Sequence, residues 1–547
     1  MASHEQVPVQ IPKQRRHSFM DYGGANSLSN FASSYSRAQN YSGTLLLEQH
    51  DEECRDVLTQ QRQASFSSGL FQDEEDEEVA IVDDEFPSTR KLHGSNHIGN
   101  LLLQNEECLD QDISESVLDE MAPLIPTISK QSSHVVFSKL GSSTAPQTIF
   151  NSINTLVGIG MLSLPLGFRM SGWLLGVIFL LGSAISTNLT AKYLGRILRN
   201  HPNLMTYGDI AYAYGGRLFS ILVTGFFVLD LLGASLSLII LFADCFVIVW
   251  PHVKSLKLII VSIVFCSSLL PLHVLSIFSL LGILGTIGII SVIITCGFLL
   301  RQSPGSLLDF APTDVYPKSL PNLLFSLGVF MAPWGGHPVF PELFRDMRHP
   351  KKFSNTSNVS FSVTFLLDFT IGATGYLMYG KMVDDSIVKS IMQNSNYPEW
   401  VNKSLCLLMG ILPVSKLPLV TRPIITSYEK LLGLSPCKNK QSRTGTRTGT
   451  RTRTRTTLTI LRIFSRFIFC GVLLLFALLF TSFGKLVSFL GSAICYTVCL
   501  AFPLMFYLKL NRSSVSKFQS HLIRLGICIS ILLALLGSYA SIAVRIT

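Results

Sequence analysis

Few ionisable side chains interrupt the apolar runs that fill the chain beyond Ala145: Asp230, Asp244, His337, Asp368 and Lys416. Such groups are costly in lipid and by default mark a pathway or a pairing. Asp230 lies nearest the middle of its run. It is the candidate proton carrier, since a carboxyl in a low dielectric can exchange protons near neutral pH. Asp244 near an interface and Lys416 near the end of its run read as structural. His337 either titrates near neutrality or acts as a neutral hydrogen-bonding strut. Nothing suggests an enzyme. There is no HExxH motif and no cluster of carboxylates, and Ser, His and Asp are scattered without triad order. The 11 cysteines show no metal-ligand spacing. In "CYTVC" (Cys495–Cys499) two of them stand at helical i, i+4 positions and read as small packing residues. No metal, cofactor or nucleic-acid partner is expected.

The elements that would hold these groups are punctuated in an unusual way. "NTLVGIGMLSLPLGF" (Asn154–Phe168) is apolar enough for a bilayer, yet it contains Gly158, Gly160, Pro165 and Gly167, the poorest residues for a helix interior. A broken helix frees backbone N–H and C=O groups, which lipid does not tolerate unless they line a cavity or meet a ligand. Val157–Gly160 therefore reads as an unwound binding element, followed by a half-helix whose positive N-terminal end suits a carboxylate. An inverted repeat would place a second break at the equivalent point of its other half. "FSLGVFMAPWGGHPVFPELF" (Phe325–Phe344) supplies it, with Pro333, Gly335, Gly336, Pro338 and Pro341.

Apolar runs long enough for a membrane core predict eleven spans, at about 145–168, 172–197, 217–249, 256–273, 275–300, 320–346, 358–380, 401–426, 460–482, 486–510 and 521–545. Spans 1–5 and 6–10 pair as inverted halves, with one helix left over. The chain is 48% hydrophobic and 14% charged, against about 25% charged in soluble domains. Residues 1–140 hold 23 of 35 acidic but 10 of 44 basic residues, a net −13 against +22 for the rest. With its run "DEEDEE" (Asp73–Glu78) and no periodicity, this arm is expected to be disordered. Basic loops alternate with sparser ones, which places the arm in the cytosol. Trp173, Trp250 and Trp400 fall at the opposite interface. "RTGTRTGTRTRTRT" (Arg443–Thr456) reads as a cytosolic loop, either a repeat expansion or a contact with anionic lipid. "EMAPLI" fits an acidic dileucine pattern, in which Glu120, Leu124 and Ile125 would be read by a sorting adaptor.

The stretches "TIFNSINTLVGIGMLSLPLGFRMSGW" and "GGHPVFPELFRDM" resemble the amino acid/auxin permease family, most of all its plant-type vacuolar amino acid transporters. The resemblance covers residues 140–547. It implies an all-α integral membrane protein with a LeuT-like 5+5 repeat plus one helix. It also implies proton-coupled amino acid movement across the vacuolar membrane. By the same resemblance the substrate would lie against Thr155, Gly158 and Gly160 of the first break and Gly335, Gly336 and His337 of the second. In span 3 the family carries more acidic residues, and Ser237 stands where a glutamate is expected. An auxin or other small-solute carrier would share the fold. A channel would show filter loops or pore-lining rings instead.

Overall fold

The computed structural model describes Ser34, residues 141–270, 272–432, Leu434 and residues 450–545. The acidic run, the sorting pattern at Glu120, Leu124 and Ile125, and residues 443–449 of the Arg–Thr stretch lie outside the described residues. The chain divides into one unit of Met1–Gln49 with Lys139–Thr547 and another of His50–Ser138. Every described residue belongs to the first.

Among the described residues the secondary structure is helical, apart from one isolated bridge between Ser143 and Met347. The elements are α1 (Ala145–Leu156), α2 (Leu164–Asn200), α3 (Tyr207–Phe246), α4 (Val253–Ser268), α5 (Leu272–Leu299), α6 (Leu320–Met331) and α7 (Phe340–Asp346). Then follow α8 (Phe353–Tyr379), α9 (Ile387–Gln393), α10 (Glu399–Leu431), α11 (Thr450–Leu479), α12 (Phe483–Phe489), α13 (Phe502–Leu510) and α14 (Lys517–Ala543). Local chemistry sets many of the starts. Thr206 accepts from the Asp209 N–H at 3.1 Å and Ser516 from that of Gln519 at 3.2 Å. Both are capping boxes that satisfy donors a helix leaves free.

Nine helical stretches among the described residues are long and apolar enough to cross a membrane. Their limits follow the apolar runs, with instructive exceptions. The stretch Ile159–Asn200 counts once, but Gly172 interrupts it with φ 71°. There the Val315 carbonyl lies against the glycine, and Trp173 and Leu174 donate to the Asp314 and Val315 carbonyls at 3.1 Å. A side chain would be excluded on both conformational and steric grounds. Gly216 makes a similar kink in α3, with φ 71°, one residue before the expected start of that span. Helix α4 has 16 residues, short of the roughly 20 that a crossing needs, and it ends before the expected join at Leu272. The Arg–Thr stretch is not wholly a loop, because α11 begins at Thr450. Arginine is a good helix former, and an apolar pattern cannot reveal a polar extension of a helix.

Phe168 ties the framework together. Its ring meets Trp173 at 5.3 Å, Phe330 at 5.2 Å, Phe369 at 6.4 Å and Tyr376 at 6.2 Å. It thereby joins α2, α6 and α8. At the end of the molecule that holds the start of α1, the Arg345 guanidinium donates to the carbonyls of Leu198, His201 and Leu204 at 2.7–3.0 Å. It closes the C-terminal turn of α2, where free carbonyls favour a cation.

Candidate functional site

Helix α1 stops where the sequence predicts. Val157 leaves helical geometry at φ −71°, ψ 91°. Gly158 is extended at φ −113°, ψ −172°, and a 3-10 turn, Ile159–Ser163, leads into α2. The first N–H groups of that turn have no intrahelical partner by geometry. The second break also stands where expected. After α6 come a 3-10 turn at Ala332–Trp334, then Gly335 and Gly336, and then a second 3-10 turn at His337–Val339 before α7.

The two breaks face each other. A β-carbon on Gly160 would stand 3.4 Å from the Pro333 nitrogen and 3.6 Å from Ala332. One on Gly336 would stand 3.1 Å from Leu156 and 3.2 Å from Thr155. Each break thus supplies a glycine to the other's backbone or side chains. The Thr155 hydroxyl donates to the Asn151 carbonyl at 2.8 Å, which leaves its methyl group towards Gly336. Gly158 differs. The nearest atom to its absent β-carbon is the Leu156 carbonyl oxygen at 3.9 Å, so it borders open space. None of the break glycines has positive φ, so space rather than backbone freedom explains them.

His337 is fully buried. Its Nε2 lies 2.9 Å from Thr190 Oγ1 and 3.0 Å from the Thr187 carbonyl. A carbonyl only accepts, so Nε2 carries the proton. Thr190 in turn donates to the Cys499 carbonyl at 2.7 Å. The imidazole therefore joins the second break to α2 and to the tenth apolar run, which is the strut geometry.

That tenth run holds a feature the sequence concealed. Between α12 and α13, Leu490–Ala501 is a π-helix, a geometry that frequently accompanies functional sites. Cys495 and Cys499 were expected at α-helical spacing. They remain packing residues, but on a wider turn, and Cys495 Sγ lies 3.4 Å from where a Gly335 β-carbon would be. Helix α3, which carries Asp230, packs on this π-helix. Ser237, also on α3, is buried and donates to the Gly233 carbonyl at 2.9 Å.

Sequence reasoning missed two contacts. Lys416 was expected near the end of its run, but its Nζ extends to 3.5 Å from the Val157 carbonyl, so it serves the first break. Ser34, within the arm, is buried against α1. Asn151 Nδ2 donates to its Oγ at 2.9 Å and its carbonyl at 3.3 Å, and its hydroxyl meets that of Ser143 at 2.7 Å. No spacing signal links positions so far apart in sequence. Among the described residues no cluster of metal-binding side chains occurs.

Two interrupted helices set face to face among long apolar helices define a multi-pass membrane protein. The chain belongs to the family described as "Transmembrane amino acid transporter protein", whose profile matches residues 141–543. It is similar to three Arabidopsis thaliana proteins. Amino acid transporter AVT1H is 27% identical over 408 residues, covering 73% of this chain and 89% of the relative. Amino acid transporter AVT1E is 25% identical over 419 residues, covering 74% and 73%. Amino acid transporter AVT1B is 25% identical over 458 residues, covering 81% and 78%. Membership places the chain among transporters and not enzymes.

Proposed function

We propose that this protein is a secondary active transporter that moves amino acids across a vacuolar, lysosome-like membrane by alternating access, coupled to protons. The observation that carries this reading is the reciprocal packing of the two breaks. It brings two stretches of non-helical backbone together, an arrangement that a membrane tolerates where it lines a cavity or meets a ligand. A zwitterionic amino acid suits the arrangement: free N–H groups at Ile159 and Gly160 for its carboxylate, and carbonyls at the end of α1 for its ammonium. Thr155, Gly158, Gly160, Gly335 and Gly336 would line the site, and His337 would position the second break. Asp230 is the proton carrier within this proposal.

Eleven crossings in a LeuT-like arrangement are consistent with the helices found. Division at Gly172 makes two crossings of Ile159–Asn200, whose 42 residues would otherwise span roughly twice a bilayer core. Pairing of α4 with thinner or locally adapted bilayer adds another. Lys192, Arg196, Arg199 and Lys351 converge on a cavity of about 230 Å³ at the end that holds the start of α1. By the positive-inside rule that end is cytosolic, and the cavity offers anionic lipid headgroups a place. The vacuolar address rests on the resemblance of the arm and the breaks. A Leu124→Ala, Ile125→Ala double variant that keeps its location would exclude the adaptor signal.

The decisive experiment is counterflow of labelled amino acids in proteoliposomes, repeated under opposed proton gradients. A carrier exchanges substrate without net flow, whereas a channel does not. Failure of every amino acid to exchange would overturn the proposal.

A further inference from the structure

Helix α8 places a stripe of residues against both breaks. Phe361 stacks on Trp334 of the second break at 5.5 Å and 7°. Further along, Gly372 lies against Phe168 and Leu164, and Gly375 against Pro165, at the start of α2. At 100° per residue, Phe361, Thr364, Asp368, Gly372 and Gly375 share one face. Thr364 and Asp368 therefore stand between the two contacts, and α8 also packs on the 3-10 turn Ile159–Ser163. Both residues are fully buried. Neither carboxylate oxygen of Asp368 has a hydrogen-bond partner among the described residues, nor has the Thr364 hydroxyl or Trp334 Nε1.

An ionised carboxyl buried without a partner is among the costliest arrangements in a protein, and in practice the group neutralises instead. A metal cation would neutralise it only with a shell of oxygens, whereas this stripe offers one hydroxyl, that of Thr364, among Phe361 and glycines, and it faces Leu164 and Phe168 of α2. A proton needs one oxygen. We propose that Asp368 is a proton-binding site of the transport cycle, loaded in the arrangement seen here and emptied when the first break separates from α8 and admits water. The proton then passes from the carboxyl to that water, leaving a hydrated carboxylate. Thr364, one turn away, offers the proton a second oxygen on the same face. This inference rests on the transport reading and adds a site distinct from Asp230, which lies on α3.

The other titratable groups on α8 and its neighbours are placed elsewhere or already engaged: Tyr376 bonds the Asp314 backbone, Tyr379 stands about three turns beyond Asp368, and His337 of the second break is held by Thr187 and Thr190. Helix α1 and the turn Ile159–Ser163 carry none. On α2, Arg169 donates to the Val383 carbonyl at 2.7 Å. Lys192, Tyr193, Arg196 and Arg199 stand beyond Asn188, which is level with Ser357, about three turns from Asp368. Helix α5 contributes His273 at its start and Cys296 near its end. The short turns at the two ends of α8 carry Lys351, Lys352 and Lys381.

Asp368→Asn keeps the shape and removes the titration. Its counterflow should stay within about twofold of wild type. Its accumulation under a proton gradient should disappear, a loss of roughly tenfold per pH unit for one coupled proton. Asp368→Glu should restore accumulation with a displaced pH profile. Gradient-driven accumulation by Asp368→Asn at wild-type level would overturn the proposal. So would loss of counterflow in both variants, which would mark a structural role. Infrared difference spectra across pH supply a readout independent of transport. The wild-type spectra should contain a protonated carboxylic-acid carbonyl band that Asp368→Asn loses, with any band from Asp230 common to both. Coincidence of the wild-type and variant spectra in this region would sink the site. If wild type shows the band yet exchanges no amino acid, the transport reading fails while the protonated carboxyl stands.

Discussion

The first break leaves backbone beside open space, while the second is packed shut. Gly158 has only the Leu156 carbonyl oxygen, at 3.9 Å, near its missing β-carbon, and Val157 offers its carbonyl to Lys416. In the second break Trp334 and His337 are fully buried. The former stacks on Phe361, and the latter is held by Thr187 and Thr190. Both segments are punctuated by glycine and proline, so composition alone makes them look equivalent. Within the proposed cycle their surroundings would divide the labour: one break would supply accessible polar groups, and the other a fixed wall. A carrier needs both, because a ligand must be held by something that does not yield while another part opens.

The sharpest way to break that comparison is to disturb the wall. A β-carbon on Gly491 of the π-helix would fall on the Gly328 carbonyl oxygen of α6 and 2.8 Å from the Ala332 nitrogen. Backbone atoms cannot rotate away, so Gly491→Ala must separate the helices, with an overpacking cost of about 1–3 kcal/mol or more. The expected result is a detergent-solubilised protein with a clearly lower melting temperature or no monodisperse peak. Gly158→Leu tests the other break. Its backbone is extended, a conformation any residue adopts, and its side chain would enter open space. That variant should reach the membrane with a wild-type melting temperature but lose exchange of labelled amino acid. Normal exchange would remove Gly158 from the binding surface.

His337→Ala probes the strut. It removes a buried donor and leaves the Thr187 carbonyl and Thr190 hydroxyl short of a partner, at about 1–3 kcal/mol, and it also opens a cavity. Melting temperature should fall by several degrees while the pH profile of exchange keeps its shape. A changed profile with intact stability would instead make His337 a titrating group of the cycle.

How much of this was legible beforehand depended on the kind of signal. Both breaks were, because glycine and proline declare themselves wherever a helix is otherwise expected. The start of the third span was too, since Gly216 ends one helical segment and Arg217 opens the next. Which glycine borders space and which meets backbone was not, because that depends on neighbours far along the chain. Gly328 and Gly491 read separately as ordinary helix glycines. The π-helix was hidden for a related reason: "CYTVC" fits α-helical spacing equally well, and the neighbours of that segment, α6 and α14, lie far from it in sequence. Lys416 illustrates a third limit. Helix α10 runs on to Leu431, past the expected end of its apolar run at 426, so Lys416 stands near the middle of the helix rather than near its end.

Lys416 is also where the smallest effect is expected. Its contact with the Val157 carbonyl is 3.5 Å, at the outer limit of a hydrogen bond, where the interaction is weak. Replacement by methionine keeps the apolar stem and removes the charge, so packing along α10 persists. Stability should change by no more than about 1 kcal/mol. Transport is a finer instrument. Without the ammonium, the Val157 carbonyl becomes available to the ammonium of a bound amino acid, and positive charge at the first break falls. Lys416→Met should therefore alter the apparent affinity for amino acids several-fold while maximal exchange stays near wild type. An unchanged affinity would reduce Lys416 to a packing residue. A collapse in stability would show that the first break depends on the lysine for its shape, and that it is less open than its geometry indicates.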